Sequence, residues 1–178
     1  MKIKKIDFST KAIAKMGIFS ALSFVLTYLE FPIFVAVPFL KLDFSNLFVL
    51  IGGFSLGTIP GVIILIVKEA LCLLKSTTVV GQLANLILGL SYVLLPFIVY
   101  EYKKSFKRAI YGLSLGCLLT SFISLLVNRY INFPLYGASD SMFLSVWGYI
   151  LAFNAIKSIA ITVVTLLLYK RVKSIINF

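Results

Sequence analysis

Residues 143–169, FLSVWGYILAFNAIKSIAITVVTLLLY, carry a single charged side chain, Lys157. The run exceeds the roughly 20 apolar residues that a helix needs to cross a hydrocarbon core about 30 Å thick. Similar stretches recur upstream, and the pattern predicts further spans over 11–29, 44–56, 60–75, 82–100 and 109–127. The second and third are short for a bilayer, and the third is interrupted by Lys68 and Glu69. With 61% hydrophobic and 13% charged residues and a mean hydropathy of +1.07, the chain lies outside the range of soluble domains. The expectation is an all-α integral membrane protein, a single bundle of about six transmembrane helices forming one domain over 1–178.

The net charge of +11 raises nucleic acid as a partner, but the placement of the basic residues points to a membrane. Lys2, Lys4, Lys5, Lys11 and Lys15 precede or begin the first span. Lys103, Lys104, Lys107 and Arg108 separate the fourth and fifth, and Lys170, Arg171 and Lys173 follow the sixth. With six spans these clusters share one side, against Lys41, Lys75 and Arg129 on the other, so the positive-inside rule predicts that both termini are cytoplasmic. The opening segment reads as a first span rather than a cleavable signal peptide, because its apolar part is long and no small-x-small cleavage site precedes Pro32.

The loop 31–43 is apolar, with Phe34, Val35, Val37, Phe39 and Leu40, and is expected to fold back into the bundle. Asp43 or Ser45 is positioned to cap the second span. Gly57, Thr58, Pro60 and Gly61 predict a tight turn with Pro60 in the first turn of the third span. Outer connections are expected over 76–81 and 128–141. Cys72 and Cys117 fall inside predicted helices and read as small core residues.

Histidine is absent, only six carboxylates are present, and no serine or cysteine is partnered by a base. That removes the usual general base and zinc ligand and argues against an enzyme. No GxxxxGK[ST] phosphate loop occurs, so ATP hydrolysis does not belong to this chain. The informative residues are polar groups within apolar helices, which are costly and by default mark a functional site or a buried pair. Asn154 and Lys157, three apart, share one helix face. Asn128 and Asn85 add amides near the outer ends of the fifth and fourth spans. The plainer reading is that such asparagines only bridge helices, and that Lys157 pairs with Glu69. Because adjacent helical residues diverge, Lys68 and Glu69 are not expected to face the same partner. Gly17 and Ala21 form a small-xxx-small face suited either to internal packing or to docking another helix.

Five segments in order resemble the riboflavin-specific substrate-binding subunits of energy-coupling factor (ECF) vitamin transporters. They are residues 39–45 (FLKLDFS) with 51–54 (IGGF), then 81–85 (GQLAN), 128–136 (NRYINFPLY) and 153–157 (FNAIK). The resemblance implies a six-helix subunit in a prokaryotic plasma membrane that binds riboflavin from outside as cargo, not as a cofactor. It also implies association with a transmembrane coupling protein and two cytoplasmic ATPases. Flavin mononucleotide stays open as a second ligand. Asn154 and Lys157 match the family's last-helix polar pair and Asn128 its fifth-helix asparagine. Leu40, Lys41, Asp43 and Phe44 match the first outer loop, and Asn85 the start of the fourth helix. Gly17 and Ala21 fall where the family carries its docking motif, with Gly17 where alanine is more usual.

For a flat ring system with amide-like edges and a chain of hydroxyls, apolar walls and a few hydrogen-bonding groups are needed. Asn154, Asn128 and Lys157 are expected to bond the polar edge or hydroxyls. Leu40, Phe44, Tyr136 and Trp147 would supply apolar or ring contacts, and Glu69 completes the candidate set. The alternatives are a sibling subunit for another vitamin, a stand-alone secondary transporter, a scaffold or a membrane isomerase.

Overall fold

A computed structural model of the chain describes residues 9–75 and 78–176, with side chains through Tyr169. Lys2, Lys4, Lys5 and Ser76 of the sequence reading lie outside the described residues, as do the side chains of Lys170, Arg171 and Lys173. Among the described residues six helices exceed two turns: α1 (Thr10–Leu26), α2 (Asn46–Leu56), α3 (Thr58–Cys72), α4 (Val79–Tyr102), α5 (Phe106–Val127) and α6 (Asp140–Ile176). The expectation of an all-α six-helix bundle is borne out. Three stretches, Val79–Tyr102, Phe106–Leu135 and Asp140–Tyr169, are long and apolar enough to cross a membrane. At about 1.5 Å per residue the 11-residue α2 falls well short of the bilayer core.

The boundaries differ from the expected ones for local reasons. Helix α1 begins where Ser9 Oγ accepts from the Ala12 amide at 3.3 Å and gives way after Leu26 to tighter turns through Leu29. The loop after it is not featureless: Phe31–Pro32 and Lys41–Leu42 pair as a short antiparallel ribbon, with Phe31 opposite Leu42. Val37, Leu40 and Leu42 are buried beneath it, whereas Val35 and Phe39 stay exposed. At the start of α2 neither expected cap forms on the helix itself. Ser45 makes no capping bond, and Asp43 Oδ1 accepts from the Ser45 amide at 2.8 Å.

The segment 128–141, expected as a loop, starts as helix instead. A wider π-helical turn, Asn128–Asn132, and a final turn, Phe133–Leu135, prolong α5. Asn128 Nδ2 donates to the Ser124 carbonyl at 2.8 Å and Asn132 Nδ2 to Asn128 Oδ1 at 3.0 Å, so the two asparagines carry the helix forward. Helix α6 starts at Asp140 rather than 143, where Ser139 Oγ accepts from the Met142 amide and Asp140 sits favourably in the first turn.

Glycines set the close approaches. Gly57, at φ 117°, makes the turn between α2 and α3. A Cβ on Gly112 of α5 would stand 2.7 Å from Pro96 Cα of α4. One turn on, Gly116 brings α5 against the carbonyl of Tyr92. That carbonyl has no helical donor, since Pro96 four residues later has no N–H. Gly112→Val is therefore expected to cost about 1–3 kcal/mol through overpacking, read as a lowered thermal midpoint in detergent. An unchanged midpoint would show that α4 and α5 can separate freely.

Two buried apolar clusters result. The larger joins α1 to α6 around Leu50, Ile64, Leu65, Tyr92, Phe97, Leu113 and Ile161. The smaller lies under the ribbon loop and contains Val37, Leu40, Leu42, Phe133, Phe143, Ile150 and Phe153. Phe44 packs against both. The space left between them holds the candidate site.

Candidate ligand-binding cavity

A cavity of about 780 Å³ opens where the ribbon loop, the first turn of α2 and the prolonged end of α5 meet α3, α4 and α6. Its size falls within the range of small-molecule sites. Of the residues expected from sequence, Asn154, Lys157, Asn128, Asn85, Leu40, Lys41, Asp43, Tyr136 and Glu69 line it. Phe44 does not, because its ring is taken up by the two apolar clusters. Trp147 is also absent from the wall and stands 48% exposed on α6.

Asn154 and Lys157 enter from one face of α6, as their spacing requires. Asn154 is buried and donates Nδ2 to the Ile150 carbonyl at 2.9 Å, which fixes its rotamer and leaves its amide oxygen and second hydrogen for a ligand. Asn128 is more heavily committed, since it donates to Ser124 and accepts from Asn132, with one amide hydrogen remaining. Asn85 and Tyr136 lie at the rim. Asn85 is exposed near Gln82, and the Tyr136 hydroxyl bonds Thr78 Oγ1 at 2.9 Å.

The charged residues pair differently from the expected Lys157–Glu69 contact. Lys157 Nζ donates to Asp43 Oδ2 at 2.6 Å, joining α6 to the end of the ribbon loop across 114 residues of sequence. Lys68 and Glu69 pair with each other at 2.6 Å, both buried. Their Cβ atoms diverge around the helix, but the long lysine side chain curls back far enough for the termini to meet. Lys68 Nζ gives its well-aligned hydrogen bonds to Ser45 Oγ at 3.1 Å and Asn46 Oδ1 at 3.3 Å. The contact with Glu69 is therefore one of charge, and neither Glu69 oxygen receives an aligned donor.

Asp43 sits at the centre of this network. Burial would raise its carboxyl, but the charge of Lys157, then that of Lys68, and hydrogen bonds from Lys157 and Ser45 more than reverse this. They hold it well below the usual carboxylate range. Asp43 thus stays anionic at neutral pH and keeps Lys157 aimed across the cavity.

Several lining residues escaped sequence reasoning. Tyr92 donates to the Ser158 carbonyl at 3.0 Å and bonds Thr162 Oγ1 at 2.9 Å, so its buried hydroxyl ties α4 to α6 at the cavity floor. Thr120 also lines the cavity, and behind it Ser91, outside the lining, bonds its hydroxyl at 2.5 Å between α4 and α5. Hydroxyls in a helix can always bond back to their own backbone, so nothing in the sequence separates these from ordinary serines and threonines. Asn132 and Lys68 also line the space. The NRYIN spacing was the signal for the former, and the charged interruption of the third span for the latter. The lining offers a small molecule apolar walls, amide groups and ammonium groups paired with carboxylates; among the described residues no cluster suited to a metal ion occurs.

Gly17 and Ala21 lie far from this cavity, exposed on α1 beside Ile13, Ile18, Leu22 and Val25. A Cβ added at Gly17 would meet nothing within 4 Å.

Comparison with known proteins agrees with this architecture. The chain is 34% identical to the riboflavin transporter RibU of Staphylococcus aureus (strain TCH60), over 94% of this chain and 93% of that protein. It is 30% identical to the riboflavin transporter FmnP of Bacillus subtilis (strain 168), over 97% and 94%. A solved structure of the S component of a bacterial ECF transporter superposes with a TM-score of 0.84 at 34% identity, covering 94% of this chain and 98% of that one. The family model for the ECF transporter, substrate-specific component, matches residues 11–169, and the chain belongs to that family.

Proposed function

We propose that this chain binds riboflavin in the cavity and delivers it inward as the substrate-specific subunit of an ATP-driven ECF transporter. The observation that carries the reading is the cavity itself. About 780 Å³ of space combines apolar walls with the amides of Asn154 and Asn128 and the ammonium of Lys157. This is the donor and acceptor set a neutral, amide-edged ring with a polyol chain requires, and the relatives are named as riboflavin transporters.

In this reading Asn154 and Lys157 bond the polar edge or hydroxyls and Asn128 adds one donor. Leu40 and Tyr136 cover the ring, while Lys41 and Asn85 stand at the mouth. Asp43 acts through Lys157 rather than on the ligand, and Glu69 serves the wall through Lys68. The charge placement along the sequence puts both termini in the cytoplasm and the cavity mouth outside. The chain has no nucleotide motif, so energy comes from partner ATPases through a membrane coupling protein. The exposed Gly17–Ala21 face supplies the contact.

Purified from cells grown with riboflavin, the protein is expected to retain a yellow flavin absorbance. Asn154→Ala should reduce that absorbance at equal protein concentration, since a lost hydrogen bond of about 1 kcal/mol corresponds to several-fold in affinity. A colourless wild-type preparation that takes up no added flavin would point to a different vitamin.

A further inference from the structure

Four lysines line the cavity, and each is held by a carboxylate. Lys157 pairs with Asp43, Lys68 with Glu69, and both Lys41 and Lys75 with Glu30. The last arrangement differs from the others because one oxygen serves two cations. Glu30 Oε1 lies 3.1 Å from Lys41 Nζ on the ribbon and 3.0 Å from Lys75 Nζ in the turn that follows α3. Lys75 also donates to the Thr27 carbonyl at 2.6 Å and lies 5.0 Å from the centre of the Tyr28 ring, which fixes it in place. The group is part-exposed at the mouth, where cargo must pass. Burial would raise the Glu30 carboxyl, but hydrogen bonds and charge from Lys75 and Lys41 bring it below its ordinary value, so it is an anion at neutral pH.

Two ammonium groups bridged by one carboxylate have the geometry with which proteins hold a phosphate or a second carboxylate. Here the chain supplies that anion itself. We propose that Glu30 is a specificity-determining residue that occupies Lys41 and Lys75 and so makes the mouth select against phosphorylated, anionic cargo. The inference rests on the reading of the cavity as a flavin site, and concerns which flavin it accepts. An incoming phosphomonoester must either displace Glu30, leaving a carboxylate unpaired, or lie beside it, and like charges in contact are strongly unfavourable. A neutral flavin pays neither cost. The plainer role, in which Glu30 only fastens the ribbon to α3, predicts no difference between the two ligands.

The test is a fluorescence titration of the purified full chain with riboflavin and with riboflavin 5′-phosphate, at low and near-physiological salt. Wild type, Glu30→Gln and Glu30→Ala are compared. Wild type should prefer riboflavin by about tenfold or more, equivalent to about 1.4 kcal/mol. Both variants should keep riboflavin affinity within about twofold while binding the phosphate ester about tenfold more tightly, an advantage that shrinks as salt screens the freed lysines. Equal affinity of wild type for both flavins would overturn the proposal, as would variants whose phosphate affinity does not rise. Loss of riboflavin binding in both variants would assign Glu30 to fastening and also overturn it. Wild type that binds neither flavin would defeat the underlying riboflavin reading instead.

Discussion

Lys157→Ala is expected to weaken riboflavin binding by about a hundredfold or more. A hydrogen bond from a charged donor contributes about 1.5–3 kcal/mol, and each 1.4 kcal/mol is tenfold in affinity. A second loss adds to this. Lys157 is the partner of Asp43, 2.6 Å away and largely shielded from water, so its removal leaves an anion against which the ligand must close. Orphaning one member of a buried pair costs about 3–5 kcal/mol, although the residual exposure of both side chains here reduces that figure. Asp43→Asn in the Lys157→Ala background should therefore recover part of the loss, while Asp43→Asn alone should weaken binding by releasing Lys157 from its position. Quenching of riboflavin fluorescence measures all three. An affinity for Lys157→Ala within about threefold of wild type would remove this residue from the site.

Gly17→Leu is expected to have the opposite profile, with riboflavin affinity unchanged and uptake reduced by about tenfold or more. The isolated chain has room for the larger side chain, since even a Cβ at this position meets nothing within 4 Å. The neighbouring exposed residues of α1 include Ile13, Ile18, Leu22 and Val25, and the small side chains of Gly17 and Ala21 let another helix approach its backbone closely. Filling a close helix contact with extra methylenes costs about 1–3 kcal/mol, enough to displace most of a weakly held complex. Uptake by cells co-expressing the coupling protein and ATPases, beside binding by the purified chain, separates the two effects. Normal uptake would exclude this face from docking; loss of binding would mean that the substitution acts inside the subunit.

The long apolar runs made the six helices legible in sequence, because a membrane span must satisfy its own backbone and leaves little alternative. Their ends were less so. The extension of α5 past Asn128 depends on asparagine side chains bonding back along the helix, and asparagine reads equally well as a loop former. That Asn154 and Lys157 enter the cavity together was legible, since residues three apart on a helix share one face. Their partners were not. Whether Lys157 would meet Glu69 or Asp43 depends on how α3, α6 and the ribbon converge, and that is tertiary information. Phe44 shows the same limit from the other side: its place in a matching segment suggested a wall residue, while packing between the two clusters used its ring elsewhere.

The most direct measurement is an equilibrium titration of riboflavin fluorescence by the purified wild-type chain, without partner subunits. A preformed cavity lined by Asn154, Asn128 and Lys157 predicts saturable quenching at one flavin per chain, retained in Gly17→Leu and strongly weakened in Lys157→Ala. Quenching absent at every attainable protein concentration, or present and unaffected by loss of the Lys157 ammonium, would contradict the assignment of this cavity to riboflavin.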